Sequence, residues 1–387
     1  AMESQRSLLV IGLALVSFLL WQQWNIDTAP KPVTPVTQQS SDATGSGSAD
    51  LQLTTADAEQ PATSTAAAAR TIDISTDVLQ LKIDTRGGDI IALQLPAFEL
   101  HKGEGDAYPL MRKLAGFEYV AQSGLIGRDG PDDSRNSRPV YTVPESSYSL
   151  AEGAKELIVP LTFNHNGLTV EKRFIFKAGQ YDVRVEYLLH NQSGEVKTVQ
   201  PYQHLVQTIE NGKDSSMMMP IYRGAAFGTA SERYNKYAFD DMQEKNLLEA
   251  TTGGWVAMLE HYFVSAWVPD QQAENQLYSL VRNGQGVIGA KGPAVNIEPG
   301  AQATLGSTFY AGPKDQDHLA NIANGLDLTV DYGFLWFISQ PLFWLLTTIQ
   351  GFVVNWGLAI ICITLIVKGA MYPLTKVQYE SMAKMRN

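Results

Sequence analysis

From Trp356 to Leu374 the chain runs nineteen residues with a single charge, Lys368. An α-helix of that length and polarity can cross the hydrocarbon of a bilayer, so the chain is tied to a membrane whatever the rest of it folds into. Lys376, Lys384 and Arg386 follow the run, which places that end inside by the positive-inside rule. A second apolar run, Leu8 to Leu20, is preceded by Arg6 and followed by Trp21 and Trp24. Its short core suits a cleaved secretory signal, but the exit side carries tryptophans and glutamines where a small-x-small cleavage site belongs. Interfacial Trp favours an uncleaved anchor, and Arg6 then places this end inside as well. Read independently, the two runs put everything between them on the outside.

That intervening part is strongly acidic. The chain holds 29 basic and 40 acidic residues, and only Arg6, Lys368, Lys376, Lys384, Arg386, Glu3 and Glu380 lie in or beyond the two apolar runs. The middle is therefore more negative than the net charge of -11 for the whole. Such a surface repels phosphate, which argues against nucleic acid as a partner and against a domain lying flat on anionic lipid. The single cysteine, Cys362, sits inside the apolar run, so an internal disulfide and a Cys-rich metal site are both excluded.

Residues 28–70 are Thr, Ala, Ser, Pro, Gln and Gly with almost no large apolar side chain, too little to pack a core. As a flexible tether they would span roughly 35 Å. From Thr71 to about Tyr310 the pattern changes to antiparallel sheet. Leu79, Leu81 and Ile83 alternate with polar residues, Thr85 to Asp89 supplies turn chemistry, and Ile90 to Leu95 returns. Leu157 to Phe163 and Leu168 to Phe176 flank the turn Asn164 to Gly167 in the same manner. Further strands are expected at Tyr181 to His190, Trp255 to Leu259, Phe263 to Val268, Leu277 to Val281 and Ala303 to Tyr310. So many short strands predict a large sandwich. Pro313 to Ala323, followed by Gly325, reads as a helix that closes it.

Phe334 to Gln350 predicts an amphipathic helix. Ser339, Gln340, Thr347, Thr348 and Gln350 share one half with Trp336 and Trp344, opposite Leu335, Ile338, Leu342, Leu345 and Ile349. The break at Ser339-Gln340-Pro341 favours a helix lying in the membrane interface over one that spans.

The middle carries no nucleophile elbow, zincin, P-loop or dinucleotide motif. His101, His165, His190, His204, His261 and His318 are scattered without metal-ligand spacing, and each reads as a surface or satisfied core residue. Asp132-Asp133 and Asp240-Asp241 are adjacent pairs, whose neighbours on a strand would point opposite ways. Trp255, Tyr262 and Trp267 would suit a sugar cleft, though sandwich cores use the same residues. Lys368 is different. It lies about 18 Å down a helix that must cross ~30 Å, where a charge costs at least ~2.5 kcal/mol. Two readings account for it: snorkelling to the headgroups, or a wet groove that Gly369 and Pro373 help to open.

Particular stretches carry a resemblance. Glu3 to Val10, Thr85 to Gly88, Gly124 to Asp132, Gly253 to Met258, Leu326 to Phe343, Asn355 to Lys376 and Ser381 to Arg386 together resemble the bacterial membrane protein insertases of the Oxa family, in their Gram-negative form. The resemblance implies a membrane protein of the inner membrane, with a large antiparallel β supersandwich in the periplasm, α-helical membrane segments and both ends cytoplasmic. It implies the organisation 1–27 anchor, 28–70 linker, 71–325 sandwich with closing helix, 326–354 interfacial helix with Trp336, Pro341 and Trp344, 355–375 second span and 376–387 start of a cytoplasmic segment. The implied activity is non-covalent insertion and chaperoning, with no cofactor or metal. The implied partners are nascent membrane proteins, the Sec translocon, the ribosome through cytoplasmic parts beyond this chain, and the lipid bilayer. Lys368 takes the place of the cation in a substrate groove, where the family pattern leads one to expect arginine; lysine keeps the charge and loses the planar fork. A membrane-anchored sugar-binding or sugar-converting domain is the alternative, and a midplane charge has no use in it.

Overall fold

The computed structural model describes residues 68–209, 222–330 and 336–385. The expected anchor, most of the linker, and Phe334 and Leu335 at the head of the expected interfacial helix lie outside the described residues. The first six strands are β1 (Thr71–Ser75), β2 (Gln80–Asp84), β3 (Asp89–Glu99), β4 (Ala107–Leu114), β5 (Phe117–Ile126) and β6 (Ser147–Ser149). Next come β7 (Glu156–His165), β8 (Leu168–Lys177), β9 (Asp182–Asn191), β10 (Lys197–Thr208), β11 (Gly224–Gly228) and β12 (Asn235–Tyr237). The remaining strands are β13 (Leu248–Thr252), β14 (Trp255–Leu259), β15 (Phe263–Val268), β16 (Glu274–Arg282), β17 (Gln285–Lys291), β18 (Val295–Ile297) and β19 (Gln302–Pro313).

They form two sheets. One has eleven strands in the order β13-β16-β17-β10-β5-β4-β3-β2-β1-β6, with β18 on β10; the other has eight, β12-β11-β14-β15-β19-β9-β8-β7. Every pairing is antiparallel except β1 with β6. The period-2 rule explains the layering. In β8 the residues Leu168, Val170, Lys172, Phe174 and Phe176 point inward and their neighbours outward. They meet Ile72, Leu81, Ile83 and Ile90 of the opposite sheet in one continuous core. Each fully buried Leu, Val, Ile or Phe contributes about 1.5–3 kcal/mol.

Strands β14 and β15 are buried on both faces, so their sequences run apolar without alternation. The reason is a second layer outside the eight-stranded sheet. Helix α1 (Phe239–Glu244) packs elsewhere, but α2 (Gln316–Ile322) and a 3-10 turn (Leu326–Thr329) cover that face. Leu319, Ala323 and Leu326 pack there on Trp255, Ala257, Val264, Ala266 and Tyr310. The closing helix starts later than its sequence suggests. Pro313 ends β19, and Asp315 caps α2 by accepting from the His318 N–H. The sheet pairing of Pro313 with Phe263 outcompetes its preference for a first helical turn.

Two long helices complete the described chain, α3 (Trp336–Val353) and α4 (Trp356–Met385). Pro341 lies inside α3. Helix α4 runs on past Leu374, and within it Trp356–Met382 is the one described segment long and apolar enough to cross a membrane. Asn355 starts α4, its side-chain oxygen accepting from the N–H groups of Gly357 at 2.8 Å and Leu358 at 3.2 Å.

Candidate functional site

Lys368 is exposed on α4, and among the described residues no hydrogen bond or ion pair engages its ammonium. Helix periodicity gives it company: at 100° per residue, Thr364, Tyr372, Thr375 and Tyr379 all fall within roughly 40° of it. The face covered by α3 is the opposite one. Ala359 is wholly buried there, with Cys362, Ile363 and Val367 partly so. The polar stripe therefore looks away from α3, while its own threonines are quiet: Thr364 donates to the Ile360 carbonyl at 2.7 Å and Thr375 to that of Met371 at 3.0 Å.

On α3, Trp344 is 67% exposed, with Ile338 and Phe352 also exposed. Thr347 and Thr348 return their hydroxyls to the helix, Thr348 reaching the Trp344 carbonyl at 2.8 Å. That makes a mildly polar face of a kind that an interfacial helix tolerates. Pro341 removes one helical hydrogen bond in the second turn of α3, and Trp336 is the first described residue of that helix.

Inside the sandwich the structure assembles a polar chain that sequence reasoning missed. Tyr278 donates to His204 Nδ1 at 2.9 Å, and His204 Nε2 donates to Gln122 Oε1 at 2.8 Å. The Gln122 amide reaches Asp89 Oδ2 at 3.2 Å, and Arg138 grips Asp89 through both terminal nitrogens and Asp132 through Nε at 3.1 Å. Lys172 adds a second cation, donating to the carbonyls of Gly87 and Ser123 at 2.9 Å each. Two carboxylates face two cations, so the formal charges cancel. Burial lowers the Lys172 pKa to about 8, against the pull of Asp89 and Asp132. Burial likewise drives His204 down to about 3, and its two hydrogen bonds suit the neutral ring. The glycines fit this cluster by size: a Cβ on Gly124 would sit on the Asp132 carboxyl, and Gly88, at φ +64°, faces the Lys172 stem. One signal was present in the sequence. Lys172 occupies an inward position of a strictly alternating strand, where only a paired charge survives.

The six histidines do not converge on one place. His204 is the satisfied core residue, His318 binds Asp182 at 2.8 Å, and His101 meets Asp106 at 2.9 Å and Glu104 at 3.6 Å in an exposed turn. The adjacent acids are not on strands: Asp132 and Asp133 lie at a turn, Asp132 facing inward to Arg138 and Asp133 pairing with Arg135 outside, and Asp240 and Asp241 lie in the first turn of α1. Of the aromatics, Trp255 and Trp267 are core residues and Tyr262 is exposed at a turn. A cleft of about 360 Å³ lies beside Arg184, Gln203, Asp270 and Asn275. It brings together no paired carboxylates and no histidine.

Comparison with known proteins closes the description. Residues 71–345 match the family profile of the YidC periplasmic domain, and residues 348–387 that of the 60Kd inner membrane protein. The chain is 50% identical over 390 residues to the membrane protein insertase YidC of Pseudoalteromonas atlantica, covering 100% of this chain and 71% of that one. It is 48% identical over 393 residues to the membrane protein insertase YidC of Aeromonas salmonicida, with the same coverage. Among solved structures, a galactose mutarotase-like protein from Lactobacillus casei has a TM-score of 0.44 at 9% identity, covering 63% of this chain and all of its own. That likeness is too distant to bear on function.

Proposed function

The chain belongs to the YidC family of membrane protein insertases, and from that premise we propose that Lys368 is the groove cation through which it receives its substrates. It is a membrane protein insertase of the inner membrane, with a β-rich periplasmic domain and an apolar C-terminal helix. The observation that carries the finer reading is the Lys368 ammonium, which has no hydrogen-bond or ion-pair partner among the described residues and lies in a polar stripe of α4. A cation at that depth attracts acidic residues in the segment of a nascent membrane protein that must be translocated, because the field of a charge is strong where water is scarce. The same charge holds them only loosely, so the substrate can move on into lipid.

In this reading both ends of the chain face the cytoplasm, α3 lies in the periplasmic interface with Trp336 and Trp344 at headgroup level, and α4 spans. In this reading the sandwich is non-catalytic: its largest buried charge cluster, Asp89, Asp132, Arg138 and Lys172, is satisfied within itself. The Sec translocon and the ribosome are the partners expected beside nascent chains and lipid. Insertion into vesicles tests the proposal, using the full-length protein and a substrate with acidic residues in its translocated segment. Lys368→Arg is expected to insert it like the parent, and Lys368→Glu to fail. Equal insertion by Lys368→Glu would show that the charge has no such role.

A further inference from the structure

Between α3 and α4 stand only two residues, Val354 and Asn355, and Val354 has φ +56°. A β-branched side chain is poorly accommodated in the left-handed region, where Gly is the usual occupant. The local bonding explains how it is held. The Val354 N–H donates to the Gln350 carbonyl at 2.7 Å, the single bond of a left-handed helix C-cap. On the other side Asn355 opens α4 by accepting from Gly357 and Leu358, while its carbonyl accepts from Ala359 at 3.0 Å. The two caps together hold the turn. Val354 itself makes little use of it, since the residue is 80% exposed.

The strain vanishes if Val354 returns to right-handed helical angles. Both flanking segments are already helical, so that single change, with Asn355 following, would join α3 and α4 into one uninterrupted helix. We propose that Val354-Asn355 is a two-state elbow, in which a bent, strained arrangement exchanges with a straight one as the grip of α3 on α4 and on its surroundings is gained or lost. The inference stands on backbone geometry and is independent of what Lys368 does. A left-handed residue without a reason is selected against, whereas at a joint it keeps the two states within reach of each other.

The elbow can be measured with spin labels at Ile338 and Leu365 in the full chain carrying Cys362→Ser, reconstituted in phospholipid vesicles. A continuous helix separates those positions by roughly 40 Å, and the bent arrangement by clearly less. The parent should show a dominant short distance with a minor long one. Val354→Gly removes the left-handed penalty and should shift the ratio toward the short distance on the order of fivefold to thirtyfold. Asn355→Ala removes the cap that starts α4 and should raise the long component, as should transfer of the parent to detergent. A single short distance in the parent, unchanged by Asn355→Ala and by detergent, would overturn the proposal. So would a Val354→Gly chain with more of the long component than the parent.

Discussion

Lys172, on the eight-stranded sheet, donates a 2.9 Å hydrogen bond to the carbonyl of Gly87, in the β2–β3 turn of the eleven-stranded sheet. One side chain thus ties the two layers together deep in a largely apolar core, as Trp267 does elsewhere by donating to the His204 carbonyl at 3.0 Å. Breaking such a group leaves its partners buried and unpaired, and that asymmetry governs what substitutions do.

Lys172→Ala strands two carbonyls and leaves Asp89 and Asp132 with Arg138 alone. It should destabilise the sandwich by about 1–3 kcal/mol for each buried carbonyl left unpaired. Lys172→Met, which refills the volume, should cost less. Urea unfolding of a fragment covering residues 68–330, followed by tryptophan fluorescence, gives both values. A loss under about 1 kcal/mol for Lys172→Ala would remove the tie from the account of stability.

His204 sets an acid limit. Its folded pKa lies below the ordinary 6.5, at about 3, so the unfolded chain binds the extra proton first as pH falls. The stabilisation is complete above pH 6.5 and is lost progressively toward pH 3, amounting to roughly 2 kcal/mol by pH 5. The carboxyl of Glu260, raised by burial, works in the opposite sense, so the readout is a comparison of chains. His204→Gln should flatten the stability profile between pH 6.5 and 4 relative to the parent. Parallel profiles would mean that His204 does not titrate there.

Gly124→Ala should be severe for a residue in an ordinary strand. Its Cβ would fall about 2.5 Å from the Asp132 carboxyl carbon, a distance no packing permits. Asp132 would have to leave Arg138 and the Leu125 N–H, which it now meets at 2.9 Å. A stability loss of about 2 kcal/mol or more is expected, and Gly124→Ala combined with Asp132→Asn should be less than additive. Additive effects in thermal denaturation would show that the two positions do not communicate.

Topology is tested by labelling. In a Cys362→Ser background, a cysteine replacing Ser46 should react with an impermeant maleimide from the periplasmic side of intact cells. One replacing Asn387 should react only after the inner membrane is opened. If both labelled from outside, the arrangement with two cytoplasmic ends would be wrong.

What the sequence determined by itself was everything that rests on period and polarity. Alternation in Leu168 to Phe176 specified a half-buried strand, an unbroken apolar run from Trp356 specified a membrane helix, and Thr85 to Asp89 specified a turn, because each depends on neighbours a few residues away. The stretches at Gly124 to Asp132 and Leu326 to Phe343 also carried the family, which the comparisons bear out. The tertiary structure decided the rest. Strand β10 was not expected; Gln203 and His204 are buried because β5 and β17 flank that part of the strand, and Gln122 and Tyr278 lie within hydrogen-bond reach of His204. Asp89, Arg138 and Lys172 lie up to 83 residues apart in the chain and become one charge cluster only when two sheets close on them. The helical start at Gln316 likewise follows from the pairing of Pro313 with Phe263 across the sheet, which overrides a local preference worth less than one kcal/mol.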